Sequence, residues 1–199
     1  KSPVSESYRS LRTSLMYSKD SHNEGCQVIL VSSSGPGEGK TTTIANLAIT
    51  YANLGKKVLL IDADLRKPVI HQIFDKDKTP GFTSYLSQSS KLSEIINKTE
   101  IPNLDLLTSG ISPPNPSELL ESNRVEEFIN EGKKNYDVIL FDTPPLIAVT
   151  DAFVLMKYVN QFVLVIRAGV TAKGAFERIC SVVDHAKFSI TGVVMNAMT

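Results

Sequence analysis

The chain has 199 residues, 42% of them hydrophobic, and its 21 basic and 21 acidic side chains cancel to zero net charge. That length and apolar content suit a single α/β domain, and the neutral balance argues against a nucleic-acid partner. Cys26 and Cys180 lack metal-ligand spacing and fit a reducing compartment. The sequence has no run of 18 apolar residues to span a membrane and no signal peptide, and its Lys1 start leads us to expect a piece of a longer polypeptide.

Residues 3–18 read as an N-terminal helix with Leu11, Leu15 and Met16 on one side, followed by a polar linker at 19–26. Apolar runs and helical patterns then alternate. Strands are expected at 27–32, 57–62, 104–107, 137–141, 161–166 and 190–195, and helices at 40–54, 117–134 and 171–187. Short apolar strands separated by longer helices argue for a mainly parallel central sheet with helices on both faces. The stretch 67–103 is polar and irregular, with at most short helices near 82–87 and 91–97. Three prolines make 110–116 a loop. The expected division is an N-terminal helix and linker at 1–26, acting in oligomerisation, and a catalytic domain at 27–199.

The strand Val28-Ile29-Leu30-Val31 runs into Ser32-Ser33-Ser34-Gly35-Pro36-Gly37-Glu38-Gly39-Lys40-Thr41-Thr42-Thr43. Glycines let a backbone wrap around phosphates, and successive N–H groups then point at the anion. The helix that starts there adds its positive dipole end. This is a nucleotide-polyphosphate loop, and we assign Gly35, Pro36, Gly37, Glu38, Gly39, Lys40, Thr41 and Thr42 to the nucleotide. Lys40 reaches the β- and γ-phosphates, and the Thr41 hydroxyl ligates Mg²⁺. The consensus asks for glycine at position 34, where this chain has Ser34.

A second motif, Leu60-Ile61-Asp62-Ala63-Asp64-Leu65-Arg66-Lys67-Pro68, puts two acids at a strand's C-terminal end, the edge where open α/β sheets bind ligands. Asp62 and Asp64 alternate along an extended chain and so point the same way. One of them can stand near Mg²⁺ and act as base for an attacking hydroxyl; capping of loops is the plainer reading. A third motif, Ile139-Leu140-Phe141-Asp142-Thr143-Pro144-Pro145, ends a hydrophobic strand in an acid that holds Mg²⁺ or its water beside Lys40-Thr41. The fold class that follows is α/β, a single-domain P-loop NTPase of the deviant Walker type.

Within the deviant P-loop ATPases these residues resemble the bacterial tyrosine kinases of capsular and exopolysaccharide systems. A fourth motif, Glu6-Ser7-Tyr8-Arg9-Ser10-Leu11-Arg12, matches that family's E-x-x-R-x-x-R pattern, and the likeness covers nearly the whole chain. The resemblance implies an ATP- and Mg²⁺-dependent protein-tyrosine kinase. Its catalytic residues would be Lys40, Asp62 as the base, Asp64 in support and Asp142, with Thr41, Asp62 and Asp142 at the metal. It implies a homo-oligomeric ring closed through Glu6, Arg9 and Arg12. It also implies a membrane-spanning activator of polysaccharide export, fused or separate, and a place on the cytoplasmic face of the cell membrane. By spacing alone, Glu6 and Arg9 are also an ordinary i,i+3 surface pair.

Asn196, after the last strand, is read as an adenine contact or a turn residue, and Arg167 as facing the nucleotide or solvated. Asp151 either holds the Pro-Pro loop or caps a helix. The family's usual C-terminal tyrosine cluster is missing: the six tyrosines are dispersed at 8, 17, 51, 85, 136 and 158. Partner proteins are therefore acceptor candidates beside the chain itself. The competing readings are a P-loop ATPase acting as a positioning or assembly switch, and a nucleotide-binding regulatory module. The lysine that such switch ATPases carry early in the loop is Gly35 here.

Overall fold

The computed structural model describes residues 3–18, 25–147 and 149–197. Seven strands form one sheet: β1 (Gln27–Ser33), β2 (Val58–Asp62), β3 (Asn97–Lys98), β4 (Leu104–Leu107), β5 (Val138–Asp142), β6 (Gln161–Arg167) and β7 (Gly192–Asn196). Their order is β3-β4-β2-β5-β1-β6-β7, parallel except for the short antiparallel pairing of β3 with β4. The central strands are continuous apolar runs because both faces are covered. Successive residues alternate between two cores. Ile29, Val31, Val58, Leu60, Val138 and Leu140 face α1 (Pro3–Met16) and α2 (Lys40–Ala52), where Leu15, Leu47 and Tyr51 are buried. Leu30, Leu59, Ile61 and Phe141 face the other side.

That second core is filled by α4 (Phe82–Leu86), α7 (Asn123–Asn135), α8 (Asp151–Met156) and α9 (Lys173–His185). Phe128 sits at its centre, with the rings of Phe82, Tyr85 and Phe141 at 5.1, 5.6 and 6.4 Å.

Several expectations need revising. The helix expected at 117–134 is two helices, α6 (Pro116–Leu120) and α7, because the Ser122 hydroxyl donates back to the Leu119 carbonyl and competes with helix propagation. The polar stretch 67–103 contains α3 (Ile70–Ile73), α4, α5 (Leu92–Ile95) and β3, so the second short helix there ends two residues early and gives way to a strand. Helix α8, absent from the helices expected at 40–54, 117–134 and 171–187, follows the Pro-Pro loop and begins at Asp151, where a helix start is one of two readings. Residues 19–24 of the expected linker lie outside the described residues. Helix α1 packs on α2, and the Gln161 side chain donates to the Leu15 carbonyl (2.7 Å) and the Ser18 hydroxyl (2.6 Å). Among the described residues no helix is long and apolar enough to cross a membrane.

Candidate active site

Strands β2, β5 and β1 are adjacent, and their C-terminal ends carry the acids and the phosphate loop. Asp142 is in register with Asp62 on one side and Val31 on the other. The backbone of β1 then turns through Ser34–Gly39 and enters α2 at Lys40. Gly39 makes that entry: its φ is 89°, and a Cβ there would lie 1.9 Å from the Asn196 amide nitrogen. The positive φ favours glycine, and any side chain there would also displace the Asn196 amide.

Lys40 and Thr41, on the first turn of α2, meet the acids directly. The Lys40 ammonium lies 3.2 Å from Asp64 Oδ2 and 3.2 Å from Asp142 Oδ1. The Thr41 hydroxyl donates to Asp142 Oδ2 at 2.7 Å. Burial pulls the Lys40 pKa down, but Asp142 and Asp64 outweigh it and the net direction is up, so the ammonium keeps its proton. Asp142 is fully buried, and burial pushes its carboxyl up against the opposing pull of Lys40 and the Thr41 hydroxyl.

Asp62 is equally buried. Its Oδ2 accepts the Ile70 N–H at 3.0 Å, and its Oδ1 has no hydrogen-bond partner. Burial, then the charge of Asp142, push its pKa up to about 7. A carboxylate poised there matches a general base working near neutrality. Asp64 Oδ1 accepts the Lys67 N–H at 3.0 Å, which fixes the acid that reaches Lys40.

The donor set suits a hard divalent cation: the Thr41 hydroxyl, the Asp142 carboxylate and the free Asp62 Oδ1 are all oxygen. Among the described residues no three acidic, histidine or cysteine side chains converge into a closed metal cage. Such a set leaves coordination positions for water and phosphate oxygens, as Mg²⁺ requires.

The other residues singled out in the sequence fall in three places. Gly35, Pro36 and Gly37 form the open turn of the loop and Thr42 is exposed on α2. Arg167 and Asn196 reach the loop's backbone: the Arg167 guanidinium donates to the Gly37 carbonyl at 3.3 Å, and the Asn196 amide to the Glu38 carbonyl at 3.0 Å. On α1, Glu6 and Arg9 pair with each other at 3.0 Å on the surface. Arg12 turns inward and donates to the Thr50 carbonyl of α2 at 2.9 Å.

Sequence reasoning assigned no role to Arg66 and left Asp151 between two. Arg66 grips the buried Asp151 with two bonds, of 2.9 and 3.1 Å, and Ser117 adds a third at 2.6 Å. This cluster ties the loop after β2 to the start of α8 and to α6. Arg66 lies two residues from Asp64, the one signal the sequence held.

The protein-family comparison matches residues 26–191 to the AAA domain family. The tyrosine-protein kinase YwqD of Bacillus subtilis is 42% identical over 196 residues, covering 98% of this chain and 82% of YwqD. A putative tyrosine-protein kinase EpsB of Ralstonia nicotianae is 37% identical, and the chain spans about a quarter of it (26%). Among solved structures, the kinase domain of the Escherichia coli tyrosine kinase ETK superposes with a TM-score of 0.94, at 31% identity, over 100% of this chain and 77% of that one. The septum site-determining protein MinD of Pyrococcus horikoshii, complexed with Mg-ADP, reaches a TM-score of 0.71, at 25% identity, over 85% of this chain and 70% of that one. The chain belongs to the bacterial tyrosine-protein kinases, of which it forms the kinase domain.

Proposed function

We propose that the site at the ends of β1, β2 and β5 transfers the γ-phosphoryl group of ATP to a tyrosine hydroxyl. The observation that carries this reading is the convergence of Lys40, Thr41, Asp64 and Asp142 within 3.2 Å contacts, beside a buried Asp62 with one free oxygen. The loop amides and Lys40 bind the phosphates, and Lys40 exchanges its carboxylate partners for phosphate oxygens. Mg²⁺ held by Thr41 and Asp142, with Asp62 at its edge, would neutralise the charge on the β- and γ-phosphates. Asp62 accepts the proton of the tyrosine hydroxyl, whose ordinary pKa of about 10 makes it a weak nucleophile at neutral pH. Positioning and charge neutralisation supply most of the acceleration.

We further infer that the kinase serves capsular or exopolysaccharide export from the cytoplasmic face of the membrane, with a membrane-spanning activator, fused or separate. Glu6 and Arg9 are offered to a second copy from the surface of α1, and Arg12 anchors that helix on α2. Acceptors are tyrosines of partner chains or of another copy.

The test is incubation with Mg²⁺ and γ-labelled ATP in the presence of a tyrosine-rich peptide, beside Lys40→Met. Phosphotyrosine that disappears in the variant is the expected result. Free phosphate without phosphotyrosine, repeated with the membrane activator present, favours the switch ATPase instead.

A further inference from the structure

A buried carboxylate inside a phosphate-binding loop is electrostatically unexpected. Glu38 is only 4% exposed. Its Oε1 accepts the Ser34 hydroxyl at 2.5 Å and also the Thr171 hydroxyl, and its Oε2 accepts the Gly35 N–H at 2.9 Å. The donors come from two places: the start of the loop after β1, at Ser34 and Gly35, and the connection from β6 to α9, at Thr171. The Thr171 hydroxyl is itself oriented, because its oxygen accepts the Arg167 N–H at 2.9 Å and its proton is left for Glu38. The Ser34 side chain that departs from the glycine consensus is thus one arm of this bridge.

Two readings of the carboxylate differ in sign. As a plug, it would occupy amides meant for phosphate, and its removal would tighten nucleotide binding. As a brace, it would lock a glycine-rich segment whose free backbone entropy is otherwise large, and its removal would weaken binding. Burial, the long-range tie to Thr171 and the Asn196 bond to the Glu38 carbonyl all hold this residue away from solvent, where nucleotide arrives.

We propose that Glu38 is a positioning residue of the nucleotide site: through Ser34, Gly35 and Thr171 it holds the loop in its phosphate-receiving shape from behind, without touching the phosphates. This rests on the nucleotide-binding reading above. It replaces direct cofactor contact by Glu38 with pre-organisation of the residues that do make contact.

The test titrates a fluorescent ADP analogue with Mg²⁺ into the full chain and into Glu38→Ala, Glu38→Gln, Ser34→Gly, Thr171→Val and the double variant Glu38→Ala/Thr171→Val, with kcat and KM for ATP measured alongside. Loss of the bonds to Ser34, Gly35 and Thr171 in Glu38→Ala raises the Kd about tenfold or more. Its kcat at saturating ATP changes less than about threefold, since only ground-state organisation is lost. Glu38→Gln stays near wild type, because the carboxamide still accepts from Gly35 and the two hydroxyls can reorient. Ser34→Gly and Thr171→Val weaken binding mildly, and the double variant is no worse than Glu38→Ala alone. Unchanged or tighter binding by Glu38→Ala overturns the proposal, as does additivity of the Glu38 and Thr171 effects. If Glu38→Ala fails to fold, wild-type affinity in both Ser34→Gly and Thr171→Val overturns it as well. A wild-type chain that binds no nucleotide fails the underlying reading too, whereas binding variants equal to wild type fail the proposal alone.

Discussion

Asp62 is where function and stability pull against each other. Its folded pKa, about 7, lies above the ordinary 3.8 because burial and Asp142 disfavour its charge. The folded chain therefore holds a proton that the unfolded chain releases between pH 4 and 7. This stabilising contribution is complete below about pH 4 and is lost as pH rises through about 7. In nucleotide-free, metal-free protein, Asp62→Asn removes that slope. Calorimetry at pH 8 should show a Tm raised by about 5 °C or more, an effect of a few kcal/mol. The same variant lowers phosphoryl transfer by about 10² to 10⁴ in kcat if Asp62 is the base.

Between elements, the Arg66 and Asp151 pair joins segments 85 residues apart. Asp151 has no solvent exposure, so Arg66→Ala strands a buried carboxylate. Arg66 itself is 39% exposed, which moderates the effect to about 1–3 kcal/mol in urea denaturation. Helix α1 is a second case. Leu15 is 3% exposed against α2 and β6, and Leu15→Ala should cost about 2–5 kcal/mol in one cooperative transition. A separate early transition for α1 would contradict its membership of this core.

These elements also mark how far the sequence can be read. Strands β1, β2, β5 and β6 were legible because strands buried on both faces are continuous apolar runs. Lys40, Thr41, Asp62, Asp64 and Asp142 were legible as candidates because each sits next to such a run, in motif spacing. The break at Ser122 was not, since amphipathic periodicity continues through it and the break shows in the extended backbone of Ser122 and its bonds to Leu119. Strand β3 is two residues whose state is set by β4. The ties of Glu38 to Thr171, 133 residues away, and of Arg66 to Asp151 join residues that no local pattern connects.

At the scale of the molecule, one mainly parallel sheet collects the phosphate loop and three acids at a single edge and leaves the helices to build both cores. That arrangement couples nucleotide to global stability. At a Mg-ADP concentration about a hundred times its Kd, the folded state gains about 2.7 kcal/mol, a Tm rise of roughly 5–10 °C. Lys40→Met should abolish that rise, and a rise of equal size in the variant would remove Lys40 from the binding site.

In the proposed mechanism this edge passes a phosphoryl group to tyrosine with Asp62 as base. The most direct measurement is a rapid-quench single turnover of γ-labelled Mg-ATP with a tyrosine-rich peptide, comparing wild type with Asp62→Asn after nucleotide affinity has been matched. Phosphotyrosine formation should be slowed at least about a hundredfold in Asp62→Asn, with affinity within about threefold of wild type. Phosphotyrosine formed at the wild-type rate by Asp62→Asn would contradict that mechanism.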